Sequence, residues 1–349
     1  MAATVTLQVY FRSIFFTNNG VLRSFQRKSW RHCSTSVNIY NDRDPAPVFF
    51  SENVQTILKK ITGTDFNKVF RQRFDEKKLS PPEYKFMTDE ELKQKMKNAE
   101  RLSSKILQMP PVLKERQAIS NILSRDPAIT GFENCKFVFT DITYGLPDRK
   151  RLVVVRDPDG TLRQASWEEA ERMNQIYNPR PGRKLKPPKL FQEEHLTNVL
   201  ERGEYEFVLD SACAQFEPDD PEYLRITSVV YESVDKKRCY QLLHSTRHYG
   251  PLCFYLTWNK KIENLLISLV QQEKLEACAD IVRLYQLIHT DCKSKMINVD
   301  PNQHLELLKA YVEHDSLQQQ QLQLAIQAYQ EIVRERQQYN ENVKTAHGL

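Results

Sequence analysis

Glycine is scarce in this chain, with nine residues in 349. No Gly-x-Gly-x-x-Gly fingerprint, phosphate loop or Gly-x-Ser-x-Gly elbow can be assembled from them, so dinucleotide, triphosphate and α/β-hydrolase chemistry lack their supports. The seven cysteines, Cys33, Cys135, Cys213, Cys239, Cys253, Cys278 and Cys292, include no Cys-x-x-Cys pair. A zinc framework is therefore not expected, and the cysteines read as dispersed free thiols. No apolar stretch approaches the roughly 20 residues of a membrane span, and mean hydropathy is −0.60. Acid is missing locally: residues 1–41 contain no Asp or Glu but carry Arg12, Arg23, Arg27, Lys28 and Arg31.

That acid-free start reads as a mitochondrial transit peptide over residues 1–33. On a helix, Arg23, Arg27 and Arg31 share one face while Val21, Leu22 and Phe25 gather on the other. A matrix-negative potential draws such cations inward. Without the leader's five cations, the 50 basic residues of the chain fall to 45 and balance the 45 acidic ones. The mature chain is thus formally neutral, and any meeting with RNA must use local patches.

Residues 34–134 read as a linker and helical arm. A helix starts after Ser51 and ends at Gly63, and Thr88 with Glu91 forms a capping box for a polar helix running toward Leu107. Residues 135–189 change period. Lys136–Ile142 and Arg151–Arg156 are rich in aromatic and β-branched residues, as strands are, and Asp157-Pro158-Asp159-Gly160 signals a turn into a third strand at Thr161–Gln164. Ser166 with Glu169 caps a helix ending before Pro179. From 190 to 349 apolar stripes of helical period follow one another, beginning with Tyr205, Val208, Leu209, Ala212, Cys213 and Phe216. The fold class expected is mainly α: an irregular array of antiparallel helices, a small central β-hairpin or meander module and an extended N-terminal arm.

No catalytic constellation emerges, and no cofactor or metal is expected. His244 and His248 stand at i, i+4 but lack a zincin glutamate and adjoin Arg247, so they read as contact or surface histidines. Glu168, Glu169 and Glu171 fit the acid preference of a helix N-terminus. Two basic stretches stand out. Arg180, Arg183, Lys184, Lys186 and Lys189 lie in an acid-free strip that Pro179, Pro181, Pro187 and Pro188 hold extended, able to lay cations along a phosphate track. Between Lys236 and Lys261 there is again no acid: Lys236, Lys237, Arg238, Arg247, Lys260 and Lys261 alternate with Tyr240, Tyr249, Phe254 and Trp258. The cations suit phosphates; the aromatics suit either base stacking or a helix core. Arg149, Lys150 and Arg151 form a smaller cluster at the hairpin. The acidic stretch Glu201–Glu222 is the expected protein-facing side.

The run Phe137-Val138-Phe139-Thr140-Asp141-Ile142, then Pro147, Arg149, Arg151, Val154-Val155-Arg156 and Gly160-Thr161-Leu162-Arg163, with Ala165-Ser166-Trp167-Glu168-Glu169, resembles a family of animal mitochondrial small-subunit ribosomal proteins, the twenty-second of that series. Met109-Pro110-Pro111-Val112-Leu113, Ala214–Asp219, Ser245-Thr246-Arg247 and Asn259–Ile262 carry the same likeness, which extends from about Ser51 to about Tyr285. The resemblance implies a non-enzymatic constituent of the small subunit that contacts its rRNA and neighbouring ribosomal proteins in the matrix, without a membrane or small-molecule substrate. A helical-array RNA-processing or mRNA-stability adaptor is the alternative.

Overall fold

The computed structural model describes residues 43–71, 84–131, 134–296 and 303–347. The expected leader lies outside the described residues. Three helices open the described chain: α1 (Ala46–Phe49), α2 (Glu52–Thr62) and α3 (Phe66–Val69). α2 stops at Gly63, whose φ of 62° suits a residue without a Cβ. Although the sequence reads as an arm here, α2 buries Val54, Leu58 and Ile61 and packs on two helices of the array. Burial of each such side chain contributes about 1.5–3 kcal/mol. The arm character belongs to α4 (Asp89–Ile106), where Ser103 alone is buried. Its Thr88/Glu91 capping box is formed as expected.

The central module is a four-stranded antiparallel sheet in the order β1-β4-β3-β2, with β1 at Ile122–Arg125, β2 at Phe137–Thr140, β3 at Val153–Arg156 and β4 at Thr161–Gln164. The β2-β3-β4 meander was legible in the sequence. β1 was not, because all four of its residues are exposed and it lacks a period-2 pattern. Val154 pairs with Phe139 on one side and Gln164 on the other. One sheet face therefore carries Val153 and Val155, which meet Ala165 and α5 (Trp167–Tyr177) in a small separate core. Gly160 turns β3 into β4 at φ +80°, and a Cβ there would overlap the Asp126 carbonyl oxygen, so the turn and the β1 edge both require glycine.

Arg163 ties sheet to helix. It donates to Asp157 Oδ2 at 2.7 Å and to both Glu169 oxygens at 2.8 and 2.9 Å. The Arg163 hydrogen bonds outweigh partial burial and hold the Glu169 carboxyl down to about 2 from an ordinary 4.5. A carboxylate lowered on folding adds stability above its unfolded value and loses it as pH falls through the folded one. Discounted for the solvent screening of a partly exposed pair, about 1 kcal/mol of module stability should thus disappear between roughly pH 5 and pH 2. Trp167 fluorescence, with Trp30 and Trp258 replaced by Phe, reports it. A Glu169→Gln variant with the same acid transition as its parent would contradict the assignment.

The array comprises α6 (Glu193–Glu201), α7 (Tyr205–Gln215), α8 (Pro221–Lys237), α9 (Tyr249–Trp258), α10 (Glu263–Gln271), α11 (Leu275–Ile288), α12 (His304–His314) and α13 (Gln319–His347). α9 is buried at every residue and contacts α2, α8 and α11. A helix apolar all round has no solvent face to offer and becomes the core itself. Gly250 on α9 allows Met109 to cross it, since an added Cβ would collide with the Met109 sulfur. Lys60 of α2 reaches the buried Asp280 of α11 at 2.9 Å, and Arg283 closes the same carboxylate at 2.8 Å. α13 lies on α10 through Leu322 and Ile326. No described helix is long and apolar enough to cross a membrane.

Candidate nucleic-acid interface

The basic proline strip is not a straight track. Arg183 N–H donates to the Arg180 carbonyl at 3.3 Å, closing a turn over Pro181 and Gly182. Beyond it Gln215 clamps the backbone of Lys184, accepting from its N–H at 3.0 Å and donating to its carbonyl at 2.8 Å. The strip is thereby fixed to the end of α7. Its arginines point at the α7–α8 loop: Arg180 pairs with Asp148 at 2.6 Å and Glu217 at 2.5 Å, and Arg183 with Glu217 at 2.9 Å. Arg149 pairs with Asp219 at 2.5 Å. Arg151 donates to the carbonyls of Asp141 and Thr143 at 3.0 and 2.9 Å. Burial pushes Glu217 upward, but the Arg183 hydrogen bond and the charges of Arg180, Arg183 and Arg149 leave it below its ordinary value.

Arg116, which sequence reading passed over, joins this lattice from the other side. It contacts Glu171 of α5 and reaches Asp220, the α8 N-cap, at 2.5 Å. Its guanidinium lies 5.1 Å from the Trp167 ring centroid. Nothing local marks it, because its partners are 55 and 104 residues away. Burial pushes the Asp220 carboxyl up to about 6 against the Arg116 charge. The lattice joins the sheet module to the helical array, and its mouth opens into a small cleft of about 70 Å³ lined by Arg116, Trp167, Asn174 and Glu217.

The second basic set sits elsewhere. The lattice acids cap the start of α8, whereas Lys236 and Lys237 occupy its last turn. Seventeen residues of helix separate them, roughly 25 Å. Cations at a helix C-terminus also suit the helix dipole. Lys237 donates to the Leu200 carbonyl at 3.0 Å, Arg238 to Asn264 at 3.2 Å, and Lys261 pairs with Glu232 at 3.3 Å. Arg247 is held by Asp210 at 2.6 Å. Lys150, Lys184, Lys186, Lys189, Lys236 and Lys260 are exposed, and none of them has an ion pair among the described residues. The fourteen candidates therefore divide into cations engaged within the chain and these six lysines.

Tyr240, Tyr249, Phe254 and Trp258 are core side chains, buried at 7 % exposure or less. They have no face for a base. His248 is buried and its Nε2 meets Asp210 Oδ1 at 2.9 Å, so it is a structural contact beside Arg247. The acidic stretch Glu201–Glu222, expected to face other proteins, is instead largely engaged with arginines of this chain, through Glu206, Asp210, Glu217, Asp219, Asp220 and Glu222. A sequence window sees the charge run but not the tertiary partners that neutralise it. Burial pushes the Cys253 and Cys278 thiols up to about 12, which leaves them unreactive. Among the described residues no cluster of His, Cys, Asp and Glu is grouped to hold a metal ion.

Residues 47–290 match the family model described as "Mitochondrial 28S ribosomal protein S22". The chain is 41% identical over 288 residues to "Small ribosomal subunit protein mS22" of Mus musculus, covering 82% of this chain and 80% of that protein. It is also 41% identical over 286 residues to the Bos taurus protein of the same name, covering 82% and 79%.

Proposed function

The chain belongs to the mitochondrial 28S ribosomal protein S22 family, and from that membership we propose how it serves the ribosome. It is a structural constituent of the mitochondrial small ribosomal subunit, located with that particle in the matrix. The match across most of the chain carries this conclusion. It works without catalysis, consistent with a polar lattice whose charges are mutually engaged rather than converging on a substrate. Residues 1–33 serve as the import leader.

Its finer role is to bind small-subunit rRNA while seating neighbouring ribosomal proteins. The six lysines Lys150, Lys184, Lys186, Lys189, Lys236 and Lys260 are the phosphate contacts that the lattice leaves available, two groups at opposite ends of α8. Phosphate contacts fix position and carry little base preference. The engaged arginines Arg149, Arg151, Arg180, Arg183 and Arg247 hold the scaffold in shape, with Lys237, Arg238 and Lys261 anchored beside the second group.

Sedimentation of mitochondrial lysate tests the first level. The protein should co-migrate quantitatively with the small subunit; a substantial slow-sedimenting pool would favour a transient RNA-processing or mRNA-stability adaptor. At the second level, replacing Lys184, Lys186 and Lys189 by Gln should lower the salt concentration that strips the protein from the subunit. Unchanged release would remove the proline strip from the RNA interface.

A further inference from the structure

α4 stands apart from the lattice and carries its own pattern. It turns Ala99 and Ser103 toward the body, Ser103 being 3 % exposed. On the opposite side Lys93, Lys97, Arg101 and Lys105 recur every four residues. All four are exposed, and none of their side chains has an ion pair or hydrogen bond among the described residues. In helical projection Gln94 and Ser104 fall among them and Asn98 just beyond Lys105, so apart from Glu90 this arc has cations and uncharged polar groups and no apolar residue. Glu90 in the first turn lies within the arc and Glu100 flanks it; the outward row remains net positive.

We propose that Lys93, Lys97, Arg101 and Lys105 form a phosphate-tracking row that lies along a strand of ribosomal RNA, separate from the proline strip and the α8 cations. The inference rests on the reading above that this protein binds rRNA. A four-residue step rises about 6 Å, so the row spans about 18 Å in register with successive phosphates of an extended strand. Rows of this spacing run at about 26° to the helix axis, which sets the angle at which the backbone crosses α4. An acidic protein partner fits less well. Protein interfaces centre on buried aromatic or aliphatic anchors, and this arc has none, whereas phosphate binding needs only cations and hydrogen-bond donors.

The test uses the full chain with Lys93→Gln, Lys97→Gln, Arg101→Gln and Lys105→Gln together. Glutamine is a good helix former, and unchanged far-UV circular dichroism ties any loss to charge. Equilibrium binding to small-subunit rRNA is measured across a potassium chloride series, alongside ultraviolet crosslinking of purified subunits. Four lost contacts should reduce the log–log salt slope by about 3, and rRNA adducts on the peptide 89–106 should disappear. Replacing the three lysines by arginine should retain both. A full slope in the glutamine variant, with adducts persisting on the proline strip, would overturn this row alone. Crosslinks from α4 to an acidic protein would also overturn it. If the unaltered chain neither binds rRNA nor yields adducts at any basic residue, the parent reading fails first, and this one with it.

Discussion

Phe254→Ala should lower the unfolding free energy of the purified chain by about 3–5 kcal/mol. Phe254 is fully buried on α9, edge-on to Phe49 with centroids 5.2 Å apart, and tilted on Trp258 at 5.6 Å. Truncation removes the transfer energy of a phenyl ring, leaves a cavity in the centre of the array, and breaks contacts worth about 0.5–1.5 kcal/mol each beyond burial. It also loosens the N-terminal attachment. Phe49 belongs to α1, and Arg43 just before it stacks 5.1 Å from the Trp258 ring while donating to the Ile288 carbonyl at 3.2 Å. Urea unfolding measures the loss. Phe139→Ala is the comparison: that ring is 50% exposed on β2, so its removal should cost under about 1 kcal/mol. A small loss at Phe254 combined with weakened RNA binding would return this ring to the surface.

Phe254 also shows what the sequence could and could not tell. The stretch 236–261 mixes cations with aromatics, and that composition fits both a stacking surface and a helix core. The deciding fact is burial on every side of α9, which depends on α2, α8 and α11 and not on local period. Where one face of an element repeats, the reading was direct: the Ser166/Glu169 capping box, the α7 stripe and the meander from Phe137 to Gln164 are all present. β1 escaped because an exposed edge strand carries no alternation. The helical stripe of α2 was visible, but its place in the main core was not, since its contacts with α11 span more than 200 residues of chain.

The basic patches were legible as composition and misleading as electrostatics. Acid-free windows around Arg180 and Arg247 meet their acids in space, at Glu217 and Asp210. Lysines and arginines part company here for a physical reason. The arginine fork satisfies two carboxylates or two carbonyls at once inside a partly dry lattice, while the strongly hydrated lysine ammonium stays in water. That division suggests where outside phosphates can bind and where they cannot.

Arg116→Ala tests the lattice itself, with an expected cost of about 3–5 kcal/mol at pH 7.5. The side chain is 10% exposed and neutralises Asp220, which is 9% exposed, together with Glu171. Removing it leaves a buried carboxylate without its counter-charge, the costly way to break such a pair. The pH dependence has a definite sign. Burial raises the folded Asp220 value from 3.8 to about 6, so the fold prefers the protonated carboxyl; the stability linked to that proton is complete below the unfolded value and is lost as pH rises through the folded one. Without Arg116 the preference for the proton grows. The variant's deficit should therefore shrink as pH falls from 7.5 to 5, whereas a deficit arising only from lost packing would stay constant. Asp220→Asn keeps the α8 cap, because an asparagine oxygen can accept the Glu222 N–H that Asp220 now accepts at 2.8 Å. In the Arg116→Ala background that second change should recover part of the loss, giving a coupling between the two sites. If the two substitutions simply add, Arg116 and Asp220 are neighbours without being energetic partners, and the joint between sheet module and array must be held by the Arg180–Glu217 side alone.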